Sequence, residues 1–213
     1  MQDYFYRLAD SLFGKLKSEE YLLCSFSGEE SDFVRFNKSL IRQAGSVNQR
    51  GLTIKLVRGR RQAVGEATLS GNFTTDRELS AGFLLDLREV LPDLPEDPHL
   101  HYSQQVNSSE HIRENTLPDR QAEIVEGIMA SGVGHDLVGV YALGGIYEGF
   151  ANSLDQRNWF ATHTYNIDFS LYSDADRAVK MADAGYIWIG RAFQKKIEAG
   201  LAQLDALKRH QKP

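Results

Sequence analysis

Residues 21–69 read YLLCSFSGEESDFVRFNKSLIRQAGSVNQRGLTIKLVRGRRQAVGEATL. The stretch divides into strand-like runs with nothing helical between them. Tyr21 to Phe26 is the first and is ended by Gly28; Asp32 to Phe36 is the second; about Leu40 to Gln49 is the third. Leu52, Ile54 and Leu56 then alternate with Thr53 and Lys55, the period-two pattern of a half-buried strand. Arg58-Gly59-Arg60-Arg61 turns the chain into a fifth run, Gln62 to Leu69. That basic cluster reads as a solvated hairpin turn, with a phosphate site as the alternative. Strands that follow one another without crossover helices pair antiparallel. The stretch therefore decides the fold class: α+β, antiparallel sheets flanked by helices.

Helices bracket these strands. Phe5, Leu8, Leu12 and Leu16 make one apolar stripe on a helix over about Gln2 to Lys17. Thr75 or Asp76 can cap a second helix running to Val90, with Leu79, Phe83, Leu87 and Val90 facing inward. Four of the five prolines then fall between Pro92 and Pro118. Proline lacks an N–H and fixes φ, so residues 91–117 read as a connector. Beyond it, a helix from about Asp119 to Ala130 is stopped by Gly132 and Gly134. Strand-like runs follow at Leu137–Leu143, Ile146–Ser153, Trp159–Tyr172 and Ala178–Trp188, with Gly144-Gly145 as a hairpin signal. A last helix, about Gly190 to Lys208, carries Phe193, Ile197, Leu201, Leu204 and Leu207 on one stripe. The expectation is two consecutive subdomains: an N-terminal α+β domain over 1–90, the connector 91–117, and a middle β-rich domain with a terminal helix over 118–213.

The 213 residues suffice for a self-sufficient core, and 42% apolar with 25% charged residues excludes disorder and collagen-like sequence. No apolar run approaches the roughly 18–20 residues that cross a bilayer, and the first 17 residues lack a basic and then apolar signal. Cys24 is the one cysteine, so no internal disulfide forms and a reducing cytoplasm is the natural setting. A net charge of −5 without a basic stripe argues against nucleic acid as a partner.

Candidate chemistry is thin. His99 and His101 at i and i+2, with His111 nearby, could chelate a metal, but zinc needs three protein ligands held rigidly. His135-Asp136-Leu-Val-Gly-Val140 resembles a decayed His-Glu-x-x-x-His helix; its composition favours a loop histidine before a strand. Ser153, His163 and Asp168 assemble a hydrolase triad on paper, without a Gly-x-Ser-x-Gly elbow. Cys24 sits in an apolar run, where a thiol is core. Trp159, Phe160, Tyr165, Phe169, Tyr172, Tyr186 and Trp188 cluster in the second half as a core, a sheet face or an interface. Arg157, Trp159, Tyr165 and Tyr186 are the candidate interface or peptide-contact residues. No residue is assigned a catalytic or metal-binding role.

The ordered phrases Ser27-Gly-Glu-Glu-Ser-Asp-Phe-Val-Arg-Phe-Asn37, Arg42-Gln-Ala-Gly-Ser-Val-Asn-Gln-Arg50, Asp136-Leu-Val-Gly-Val-Tyr-Ala142, Ile146-Tyr-Glu-Gly-Phe-Ala-Asn-Ser-Leu-Asp-Gln-Arg-Asn-Trp159 and Asn166-Ile-Asp-Phe-Ser-Leu-Tyr172 resemble the TldD/PmbA family, peptidase-related proteins. The resemblance continues through Asp176-Arg-Ala-Val-Lys180 and Ala184-Gly185. It implies an N-terminal α+β region, a middle region and a larger C-terminal β-rich domain. It also implies work in peptide processing or degradation, a homodimer or a heterodimer with a related subunit, and a peptide substrate. Catalytic relatives carry a His-Glu-x-x-x-His helix and a Cys for one metal ion, zinc. This sequence has no such motif, so the resemblance places no metal or other cofactor on it. The expectation is a peptidase-related portion that is not a competent metallopeptidase alone, about half of such a protein. A stand-alone cytoplasmic binding or dimerisation module is the alternative, with no membrane and no nucleic acid as partner.

Overall fold

The computed structural model describes residues 1–118, 121–173 and 177–209. Helix α1 (Gln2–Phe13) buries Phe5, Leu8, Ala9 and Leu12 and stops at Gly14, short of Leu16. Three long strands follow: β1 (Glu20–Asn37), β2 (Leu40–Arg58) and β3 (Arg61–Thr68). Helix α2 (Phe73–Val90) runs into a 3-10 turn, Leu91–Asp93. Then come β4 (Ser109–Ile112), α3 (Gln121–Gly132), β5 (Asp136–Asn152), β6 (Arg157–Tyr172), β7 (Ala178–Gly185) and α4 (Gly190–Arg209). The strands form one seven-stranded sheet in the order β3-β2-β1-β5-β6-β4, with β7 also paired to β6. It is antiparallel except for β4, which adds in parallel to β6. None of the described helices is long and apolar enough to cross a membrane.

The α+β class expected from the strand runs holds, but the strands are fewer and longer. Runs expected as separate strands at 21–26 and 32–36 are one strand, β1, and Gly28 does not end it. The third and fourth runs merge into β2. Gly144 and Gly145 lie inside β5 and make no hairpin. Glycine is demanded at 144 by packing: a Cβ there would sit 2.3 Å from the Glu30 carbonyl oxygen and 2.4 Å from Ser31 Cα on the adjacent β1. Arg58 and Arg61 do face each other across a tight turn, with Gly59 at φ 60°, so the basic cluster is the expected hairpin. Strand β7 ends at Gly185 rather than Trp188.

Helix α2 turns a different stripe inward from the one its hydropathy suggests. Asn72 caps it, its Oδ1 accepting from the Thr74 and Thr75 amides at 3.0 and 3.1 Å. Asp76, Ser80, Leu84 and Leu87 are buried, while Leu79 and Val90 are exposed. Asp76 is only 1% exposed because it closes the preceding loop. It accepts from the Ser70 and Gly71 amides at 2.8 Å, from Ser70 Oγ at 2.9 Å and from Tyr4 Oη. Four donors offset the cost of burying the carboxylate.

The chain divides into two compact units that interleave along the sequence, rather than following one another as residues 1–90 and 118–213. Unit 1 comprises Met1–Glu29, Asn48–Arg113 and Ile146–Thr162. Unit 2 comprises Glu30–Val47, Glu114–Gly145 and His163 onward. The long strands β1, β2, β5 and β6 each contribute to both. In unit 1, the even residues of β1 (Leu22, Cys24, Phe26) and Leu52, Ile54 and Leu56 of β2 pack with α1, α2 and Trp159. In unit 2, Val34, Phe36, Leu137, Tyr141, Ile167, Phe169 and Leu171 pack with α3 and with Phe193, Ile197 and Leu204 of α4.

Candidate functional site

Helices α1 and α2 cover one face of the unit 1 sheet. Strand alternation sends the neighbouring residues to the other face: Leu23, Ser25, Ser27 and Glu29 of β1, Gly51, Thr53, Lys55 and Val57 of β2, Gln62 and Thr68 of β3. No described helix packs there. Two recesses lie on this face. One, of about 400 Å³, is lined by Ser27, Glu29, Gln49, Arg50, Thr68, Ile146 and Glu148. Gln49 Nε2 donates to Glu29 at 3.0 Å, and Arg50 Nη1 donates to Asn48 Oδ1 at 2.7 Å. Burial pushes the Glu148 carboxyl above its ordinary range. Hydroxyls, amides and carboxylates over an isoleucine suit the alternating polar and apolar groups of a polypeptide.

The second recess, of about 260 Å³, lies where the proline-rich connector passes over the same face. Residues 94–108 carry neither helix nor strand. Arg61 Nε donates to the Leu94 carbonyl at 2.8 Å and Arg61 pairs with Glu96 at 3.0 Å. The Asp97 amide donates to the Arg60 carbonyl at 2.9 Å, and the His99 amide to Asp97 Oδ1 at 2.9 Å. His99, Leu100, His101 and Tyr102 then lie beside Leu23, Lys55, Val57 and Gln62. Val57 is 1% exposed although it faces away from α1 and α2. Tyr102 stacks on Tyr21 with ring centroids 4.4 Å apart and 14° between planes. Asn152, itself buried, donates to Tyr21 Oη at 2.7 Å and fixes that ring. The connector ends in β4, whose residues Ser109–Ile112 pair with Asn158–Ala161 of β6. It runs as a strap from β3 across the sheet to β6.

The residues singled out in the sequence scatter. Trp159 is core, stacked among Phe5 and Phe26, and Tyr165 is core in unit 2, donating to Asp183 at 2.8 Å. Burial takes both out of a partner's reach. Arg157 pairs with Asp10 and lies over the rings of Tyr6 and Phe13. Tyr186 is 44% exposed, and its carbonyl accepts from Thr116 Oγ1. His163 and Asp168 lie five residues apart on β6, hence on opposite faces, so they cannot act together in a triad. Ser153 Oγ accepts instead from the Leu22 amide at 3.1 Å. His135 is in the turn before β5 and Asp136 opens that strand, as expected of a loop histidine. Cys24 is buried core. His111 stacks on Phe160, and among the described residues no three His, Cys, Asp or Glu side chains gather as a metal site requires.

Compared by sequence, the chain matches no family model and no curated protein. Compared by structure, it aligns with TldE from Thermococcus kodakarensis over 96% of its length, with a TM-score of 0.60 at 10% identity. In fold, the chain resembles TldE. Two candidate modulators of DNA gyrase align comparably, both with TM-score 0.59 at 12% identity. The one from Thermotoga maritima covers 92% of this chain and the one from Bacteroides thetaiotaomicron 95%. The resemblance to the TldD/PmbA family therefore holds at the level of the fold. This chain spans 47–48% of the length of each of these proteins.

Nothing in the sequence announced the sheet face or the strap. Ser25, Ser27 and Thr53 belong to no motif, and Tyr102 is brought to Tyr21 from beyond β2, β3 and α2.

Proposed function

We propose that the chain is the peptide-holding portion of a TldD/PmbA-like, peptidase-related protein. It guides peptides for processing or degradation and leaves bond cleavage to other elements. The observation that carries this reading is the helix-free face of unit 1: it already accommodates a non-helical stretch of polypeptide, the strap, and keeps a polar recess open beside it. Peptide backbone can hydrogen-bond to Ser27, Gln49 and Thr68, and basic side chains can meet Glu29 and Glu148. The fold likeness to TldE supports the TldD/PmbA-like part of this reading. A reducing cytoplasm suits the single buried thiol.

The test is to measure metal content, peptide binding and peptide hydrolysis on the purified chain. Saturable peptide binding without turnover is the expected result. Stoichiometric zinc with turnover would overturn the division of labour, and absence of peptide binding would overturn the reading itself.

A homodimer, or a heterodimer with a related subunit, is the second element of the proposal. Exposed Leu40, Ile41 and Val133 in unit 2 favour it, since apolar side chains this open are commonly covered by protein. Solution scattering with a mass measurement checks it, and a strictly monomeric chain at high concentration would refute it.

A further inference from the structure

Tyr21 is built as a platform. Its hydroxyl is fixed by Asn152, whose Oδ1 in turn accepts from the Leu154 and Gln156 amides at 2.9 and 3.1 Å. The ring therefore stands in a set orientation on the helix-free face; it is buried, and Tyr102 stacks on it. Tyr102 comes from the strap, and the neighbouring residues 103–108 are exposed and without regular structure. Beside the stacked rings is the recess of about 260 Å³, with Leu23 and Val57 as its apolar floor and Lys55, Gln62 and Asp97 at its rim. Tyr102 both stacks on Tyr21 and lines this recess, so moving Tyr102 aside joins the Tyr21 ring to the apolar floor and polar rim as a pocket for one aromatic side chain.

We infer that Tyr21 is the recognition platform for an aromatic side chain of a bound peptide, and that Tyr102 is its tethered stand-in. An incoming peptide places its aromatic ring on Tyr21 and displaces Tyr102, so the strap competes with ligand. This rests on the peptide-holding reading above and adds to it the substrate class, peptides bearing Phe, Tyr or Trp, and the regulation of access. No covalent step is involved. Two strap contacts, Arg61 to Leu94 and the β4 pairing, lie outside the pocket, so displacement need not detach the strap ends.

The experiment is fluorescence anisotropy with a short fluorescein-labelled peptide carrying a central phenylalanine, and with its alanine counterpart. Both are titrated with the full chain, with Tyr102→Ala and with Tyr21→Leu. The phenylalanine peptide should bind Tyr102→Ala roughly three- to tenfold tighter than wild type, the span expected of one aromatic stack. The alanine peptide should show no such gain, and Tyr21→Leu should bind both peptides alike. Should Tyr21→Leu fail to fold, the exposed-strap variant Tyr102→Ala still decides the matter. Equal binding of the two peptides, or no gain on Tyr102→Ala, overturns the platform while leaving the peptide-holding reading in place. No binding of either peptide by any variant overturns both.

Discussion

Replacing Asp76 by alanine should be among the most damaging single changes in unit 1. The carboxylate is 1% exposed and accepts hydrogen bonds from two backbone amides and two hydroxyls. On truncation, the hydroxyls of Tyr4 and Ser70 can rotate toward other acceptors, but the Ser70 and Gly71 amides cannot. An orphaned buried donor costs about 1–3 kcal/mol, and removing the charge relieves part of the desolvation penalty. The net loss should be about 3 kcal/mol, which is roughly 6–12 °C in Tm for a chain of this size. Urea unfolding at neutral pH measures it. Asp76→Asn keeps an acceptor for Ser70 and should lose about half as much. Burial alone would raise the Asp76 carboxyl, but the donors Tyr4, Ser70 and Gly71 outweigh it and hold it below the ordinary carboxylate range. A depressed carboxyl contributes stability above its unfolded pKa and loses it as pH falls through the folded value. The gap between wild type and Asp76→Asn should therefore be constant from neutral pH down to about 5 and narrow below about 4. A loss under about 1 kcal/mol for Asp76→Ala, or a gap indifferent to pH, would refute the argument.

Three further outcomes are expected. Glu20 and Arg88 form a pair at 2.7 Å with side chains 0% and 11% exposed, so Arg88→Met should cost about 3 kcal/mol by leaving the carboxylate only the Lys17 amide as a donor, whereas Glu20→Leu with Arg88→Met should cost much less; a double-mutant cycle measures it. Because Arg88 holds the Glu20 carboxyl below its ordinary range, this contribution too should fade only in acid. Gly144→Ala should destabilise by about 3 kcal/mol, read by thermal unfolding, because the atoms it meets include the backbone of β1, which cannot step aside. Burial pushes the Cys24 thiol up to about 12, so iodoacetamide at pH 8 should label it in urea and leave the folded chain unmodified.

Local patterning made most elements readable. Phe5, Leu8 and Leu12 repeat at helical spacing, and the expected α1 core is the observed one apart from Leu16. Leu52, Ile54 and Leu56 alternate, and all three are buried. Phe193, Ile197 and Leu204 of α4 are buried as their spacing implies, while Leu207 is exposed. Where patterning misled, a non-local partner was responsible. Leu79 and Val90 suit an inner face by hydropathy, yet the helix turns Asp76 inward, where Tyr4 of α1 donates to it. Gly28 and Gly144 carry the usual marks of a turn, yet strands paired on both sides hold them in extended backbone.

The candidate site was less legible than the fold. Trp159 and Tyr165 stand out in the sequence because they are large, and size with alternation is also what a core needs; both are buried. The residues on the helix-free face mix polar and apolar side chains, Ser25 and Thr53 beside Leu23 and Val57, and carry no motif.

Hydrophobic periodicity is a local property, so the residues alone placed the four helices and most of the strand sequence and implied antiparallel pairing, while the strand ends and β4, inside the connector, depend on partners. The resemblance in their order to the TldD/PmbA family survives as a likeness of fold. Only the folded chain decided that the two halves interleave into two units and that a proline-rich connector lies as a strap on an open sheet face. Tyr21 and Tyr102 meet for a reason no local pattern carries: the strap must cross from β3 to β6, and the rings stack where its path passes over β1.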